Sequence, residues 1–166
     1  MYQLFDSLSE RRLGDGRVTG TPVVIGLGSG HGDDSAGWMV VDRLRSAGWP
    51  DDQARSAVHP SDLLDWCAPD RPLVLCDACE GSGPVGTLRC WRWPDAAWPL
   101  PPMRGTHDLP LPAVLELGRI TGRLPPEVTV WTIEGRDWAP HADVSPAVAE
   151  AAVTLAATIT RAFRDA

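Results

Sequence analysis

The sequence predicts an α/β fold: a three-layer α/β/α sandwich around a mostly parallel, twisted sheet, built as a single domain. Three observations carry the prediction. Val23–Leu27 and Pro72–Asp77 are apolar runs too short for helices and read as strands buried on both faces. Strand-like and helix-like patterns alternate along the chain, the signature of a sheet covered by helices. The 166 residues are 43% hydrophobic and 22% charged, which suits one globular domain with a full core.

Met1–Thr21 has no clear periodicity and ends in the polar stretch LGDGRVTG. It reads as an N-terminal extension that opens with a short helix over Tyr2–Arg12, ahead of a domain spanning 22–166. Val23–Leu27 is the first strand, and Gly26, Gly28, Gly30 and Gly32 make the turn after it. Asp33 or Asp34 is then placed to cap a helix whose apolar residues Trp38, Val41 and Leu44 recur at three-residue steps. Gly48 and Pro50 end that helix. Arg55–His59 reads as a short strand, and Pro60-Ser61 opens a helix to Cys67. Pro72–Asp77 is a strand ending in an acid, Cys79–Pro84 a turn, and Val85–Trp93 a sheet-edge strand. Pro94–Arg104 is proline-rich and irregular. Asp108 starts a helix to Thr121, with Val114, Leu117 and Ile120 on one face and Gly122 as its stop. Glu127–Glu134 is a strand, and Ser145-Pro146 opens a final amphipathic helix to Phe163.

Composition narrows the function classes. A net charge of −7 and a pI near 4.9 leave no basic surface for phosphate backbones, so nucleic-acid binding is excluded. No apolar run is long enough to span a bilayer, and the N-terminus has neither the basic start nor the apolar core of a secretory signal. No membrane association is expected. A cytoplasmic monomer is expected, with Cys67, Cys76, Cys79 and Cys90 as reduced thiols. Eight tryptophans is a high count, enough to fill core positions and to supply a contact surface.

Ligands of open α/β sheets bind beyond the carboxyl ends of the strands. Three polar groups fall there: Asp34 after the first strand, Asp77 closing the second, and His107 before the Asp108 helix. Two carboxylates and an imidazole form an oxygen/nitrogen donor set suited to nickel or zinc. Each also has a plain structural use. Asp33 and Asp34 can cap a helix, Asp77 can bond amides of the next turn, and a lone histidine is commonly structural. The glycine turn has G-x-G-like spacing, but two acids at the helix start would repel a pyrophosphate, and no P-loop lysine follows. Cys76-Asp77-Ala78-Cys79 is a CxxC without a second Cys/His pair for zinc, which leaves a thiol redox pair as an alternative. Ser29, Ser35 and Ser82 lack a nucleophile-elbow context.

Taken together, these blocks resemble the hydrogenase maturation endopeptidases. VVIGLGSGHGDDSAGWMVVDRL is similar to that family's strand, GxGN turn and acidic pair. PLVLCDACEGSGPVGTL is similar to its strand ending in aspartate, and GTHDLPLPAVLELGRITGRLPPEVTVWTIE to its histidine, helix and Ile-Glu strand. VSPAVAEAAVTLAATI is similar to its closing helix. The resemblance runs in order from Pro22 to the C-terminus. It implies a phosphorylase/hydrolase-like α/β/α fold and an endopeptidase that clips a C-terminal extension from the precursor of the NiFe-hydrogenase large subunit. By the same resemblance Asp34, Asp77 and His107 are the metal ligands and the catalytic set. The metal is nickel contributed by the precursor, for which zinc or cadmium can substitute. No other cofactor is implied.

The chain departs from the pattern at Ser29, where the family has asparagine, and at Ser35, where it has glycine. Val58-His59-Pro60-Ser61-Asp62 replaces a glycine-rich segment associated with substrate recognition. A non-catalytic protein that recruits a partner through a Trp-rich surface is therefore the second reading, and a redox protein using Cys76 and Cys79 the third.

Overall fold

The apolar runs become strands and the periodic segments helices, in the predicted order. A computed structural model of the chain describes residues 21–94 and 109–164. The expected helix Tyr2–Arg12, nearly all of the extension, most of the proline-rich segment, His107 and Asp108 lie outside the described residues.

The strands are β1 (Val23–Leu27), β2 (Ala54–Ala57), β3 (Leu73–Cys79), β4 (Leu88–Trp93) and β5 (Val128–Glu134). The helices are α1 (Ala36–Ser46), α2 (Leu63–Trp66), α3 (Leu111–Ile120) and α4 (Pro146–Arg164). A 3₁₀ turn precedes α1 at Gly32–Ser35 and another precedes α2 at Pro60–Asp62. The five strands form one sheet in the order β2-β1-β3-β5-β4, all parallel except β4, which runs antiparallel to β5 at the edge.

Strand alternation sends successive side chains to opposite faces. Val24, Val74, Cys76, Trp131 and Ile133 pack with Val40 and Leu44 of α1 and Leu155 and Ile159 of α4. Val23, Ile25, Leu75 and Val130 pack on the other face with Leu63 of α2 and Val114 and Leu115 of α3. Two helices on each face complete the three-layer sandwich. None of the described helices is long and apolar enough to cross a membrane.

Four local expectations change. Asp77 does not close its strand, because β3 continues along β5 through Ala78↔Ile133 and Cys79↔Glu134. Helix α3 begins at Leu111, not at residue 108, because a residue before proline is driven out of the helical region and Pro110 is extended at ψ 147°. The buried face of α3 is Leu111, Val114, Leu115 and Gly118, so Leu117 and Ile120 point outward. Three-residue steps fall short of the 3.6-residue turn, so a 114–117–120 series drifts off the core. Finally, none of the seven described tryptophans is exposed: Trp49, Trp93 and Trp131 are buried and the other four are half-buried. A Trp-rich contact surface is not found among the described residues.

Candidate functional site

The strand order reverses between β1 and β3: from β1 the chain goes to β2 on one side, and then crosses to β3 on the other. Such a reversal opens a crevice at the carboxyl ends of the two strands, where α/β sheets bind ligands. Pairing of β1 with β3 ends at Gly26↔Cys76, so Asp77 is the first β3 residue beyond it. Asp34 follows β1 in the 3₁₀ turn. The fold thus brings the two predicted acids to the same crevice.

The backbone holds Asp34 from both sides. Its N–H donates to the His31 carbonyl at 3.1 Å, and its carbonyl accepts from Ser29 N at 3.3 Å. Gly28 has φ 146°, and a Cβ there would lie 2.0 Å from the Asp34 carbonyl oxygen, so only glycine permits this approach. The Asp34 side chain is half-buried and accepts no hydrogen bond among the described residues. Asp77 is also half-buried, and its Oδ1 accepts from Ala78 N at 2.8 Å. Burial pushes the Asp77 carboxyl up to about 7. The Ala78 bond opposes that rise, and the neighbouring negative charge of Asp34 adds to it. An Asp77 carboxyl made costly to ionise by burial and by the neighbouring Asp34, with no described cation paired to it, suits a bound cation. Among the described residues no group of three or more His, Cys, Asp or Glu is arranged to hold a metal. His107 lies outside the described residues.

Asp33 is not a helix cap, and neither the 3₁₀ turn nor α1 has a side-chain cap. Asp33 is fully buried and reaches across the fold. Its Oδ2 accepts from Arg136 N (2.8 Å), Asp137 N (3.0 Å) and Ser145 Oγ (2.9 Å), and its Oδ1 from Ser145 N (2.6 Å). Burial alone would raise its pKa. The bonds from Asp137, Ser145 and Arg136 outweigh that and hold the carboxyl below its ordinary range. A second buried carboxylate, Glu134 at the end of β5, accepts from Gly81 N and Ser82 N at 2.7 Å each and fastens the β3–β4 turn. Sequence reasoning assigned Glu134 no role, since its partners lie more than fifty residues away.

The CxxC does not form a dithiol pair. Cys76 and Cys79 both lie on β3, three residues and about 10 Å apart on opposite faces, beyond the reach of a disulfide. Both thiols are pushed up by burial, and Cys79 Sγ donates to Glu134 Oε2 at 3.5 Å. Neither should react with Ellman's reagent at pH 8 before denaturant is added. Rapid native labelling of either, located by mass spectrometry, would reopen the redox reading.

The same architecture occurs in solved structures. The chain superposes on a [NiFe] hydrogenase maturation protease, HycI, from Thermococcus kodakarensis with a TM-score of 0.69, at 20% identity, over 98% of this chain and 99% of that one. The fold is that of the hydrogenase maturation proteases. Two more bearers of this fold match: the hydrogenase maturating endopeptidase HybD of E. coli and a hydrogenase 2 maturation peptidase from a Thaumarchaeota archaeon. HybD matches with a TM-score of 0.60 at 22% identity, over 86% of this chain and 93% of its own. The archaeal peptidase matches with 0.59 at 24%, over 86% and 97%. No protein-family model matches the sequence, and neither does any curated protein.

Proposed function

We propose that this chain is a metal-dependent endopeptidase that acts in the cytoplasm. It removes a C-terminal extension from a nickel-loaded precursor of a NiFe-hydrogenase large subunit. The observation that carries the proposal is the meeting of Asp34 and Asp77 at the β1/β3 reversal, in a fold shared with maturation proteases over nearly the whole chain. Nickel arrives as part of the substrate, and Asp34 and Asp77 are its oxygen donors here, with His107 as the nitrogen donor. A divalent metal so held orients the scissile segment and polarises its carbonyl or an attacking water. The chain's own contribution is to give up the Asp77 proton and to hold Asp34 in the crevice. Binding therefore strengthens as pH rises through about 7 and releases a proton. The Val58–Asp62 segment lacks the usual glycines and ends in a 3₁₀ turn closed by His59 N on Asp62 Oδ2 at 3.3 Å, so the precursor differs from the customary one.

The test is cleavage. Purified protein incubated with nickel-loaded candidate precursors should shorten one of them by its C-terminal extension, read by mass spectrometry, and Asp34→Ala should leave it intact. If no precursor is cut, while one is bound equally by wild type and Asp34→Ala, the chain is a non-catalytic binding protein instead.

A further inference from the structure

The carboxylate of Asp33 lies one residue from Asp34 and binds nothing on its own element. All four of its donors belong to the segment Arg136–Ser145, which links β5 to α4. Two backbone bonds flank them: Gly32 N donates to the Ala142 carbonyl at 3.1 Å, and Asp33 N to the Asp137 carbonyl at 2.8 Å. The packing allows no slack, since a Cβ on Gly32 would lie 2.3 Å from the Asp137 carbonyl oxygen and one on Gly135 2.8 Å from the Asp33 Cβ. Ser145 carries this junction into the helix. Its N–H and hydroxyl go to Asp33, while its carbonyl accepts from Val148 N and Ala149 N in the first turn of α4. The 3₁₀ turn that carries Asp34 is thus fastened to the turn after β1 through Ser29 N and to the β5–α4 segment through Asp33.

We propose that Asp33 is the positioning residue of the crevice: by gathering the donors of Arg136, Asp137 and Ser145 it fixes the turn from which Asp34 projects. A buried carboxylate that accepts charge-assisted bonds is among the stronger anchors a loop can have. Its negative charge is taken up by those donors. The inference rests on the reading of Asp34 as a site ligand, but its first test does not need the metal.

Asp33→Asn replaces an acceptor by an amide whose NH₂ would face backbone N–H groups. Ser145→Ala removes one bond and keeps the fold, and it decides the matter if Asp33→Asn fails to fold. In native-state hydrogen exchange the amides of Arg136, Asp137 and Ser145 should speed up in either variant. Those of Ser29 and Asp34, which belong to the far side of the turn, should speed up with them, roughly tenfold for Asp33→Asn and a few fold for Ser145→Ala. Co(II) should bind the folded Asp33→Asn variant about tenfold more weakly than wild type, with an altered visible spectrum. If the Ser29 and Asp34 amides exchange as in wild type while the others accelerate, Asp33 only fastens the β5–α4 segment and the inference is wrong. Co(II) binding of unchanged strength and spectrum would overturn it equally. A wild type that binds no divalent cation refutes the proposed function instead, and the exchange result still decides whether Asp33 holds the turn.

Discussion

Asp77→Asn should abolish divalent-cation binding and, in the presence of a chelator, raise the stability of the protein. The two effects share one cause. A carboxyl held near 7 in the folded chain, against 3.8 ordinarily, keeps its proton more tightly when folded than when unfolded. The associated stability is therefore complete below about pH 4 and is lost as pH rises through 7. At pH 8 the folded chain carries an ionised Asp77 beside Asp34, at a cost of up to about 4 kcal/mol. Asparagine keeps an oxygen for Ala78 N and never ionises, so its Tm at pH 8 should exceed wild type by several degrees, and the gap should close towards pH 4. Cation addition should reverse the order, because a ligand at a hundred times its Kd stabilises wild type by about 2.7 kcal/mol and the variant not at all. Calorimetric titration should show affinity weakened at least roughly a hundredfold. Equal affinity in both proteins would remove Asp77 from the site, and equal Tm at pH 8 would refute the strain. A residue that lowers stability in order to bind is what a functional site predicts.

Gly37→Ala should lower stability by at least about 3 kcal/mol, although alanine is the better helix former by about 1 kcal/mol. Gly37 opens α1 against the sheet. A Cβ there would lie 2.2 Å from the Leu27 carbonyl oxygen and 2.5 Å from that of Cys76, while one on Gly26 would meet the Gly37 carbonyl oxygen at 2.0 Å. These neighbours are backbone and cannot rotate away, so the helix would have to leave β1 and β3 at the strand ends that build the crevice. A fall in Tm on the order of 10 °C, with weakened cation binding, is expected. A wild-type melting curve would mean that helix and sheet do not pack this closely.

Much of this protein could be read from local chemistry. The apolar runs at 23–27 and 72–77 announced strands, the glycine turn announced a sharp return, and an acid after the first strand and one late in the second marked Asp34 and Asp77 as residues to watch. Each of these is a property of a few neighbouring residues, which the sequence displays directly. Where local signals competed, they misled: Asp33 looked like a cap, Cys79 like a turn residue, and Leu117 and Ile120 like core. Asp33 was decided by amides of residues 136, 137 and 145, and Cys79 by the reach of β5 alongside β3.

The sequence by itself determined which of the described segments would be strands and helices, and that an acid, Asp34, would follow the first strand. Only the tertiary structure decided that β1 and β3 are neighbours at a reversal of strand order, which makes two separate acids one crevice. It also decided that the buried carboxylates Asp33 and Glu134 serve as anchors, while the Asp34 carboxylate accepts no hydrogen bond among the described residues. The reason is physical: a strand's apolar pattern is written in its own residues. The partner of a buried charge is whichever donor the completed fold brings within hydrogen-bonding distance, and no spacing along the chain records that.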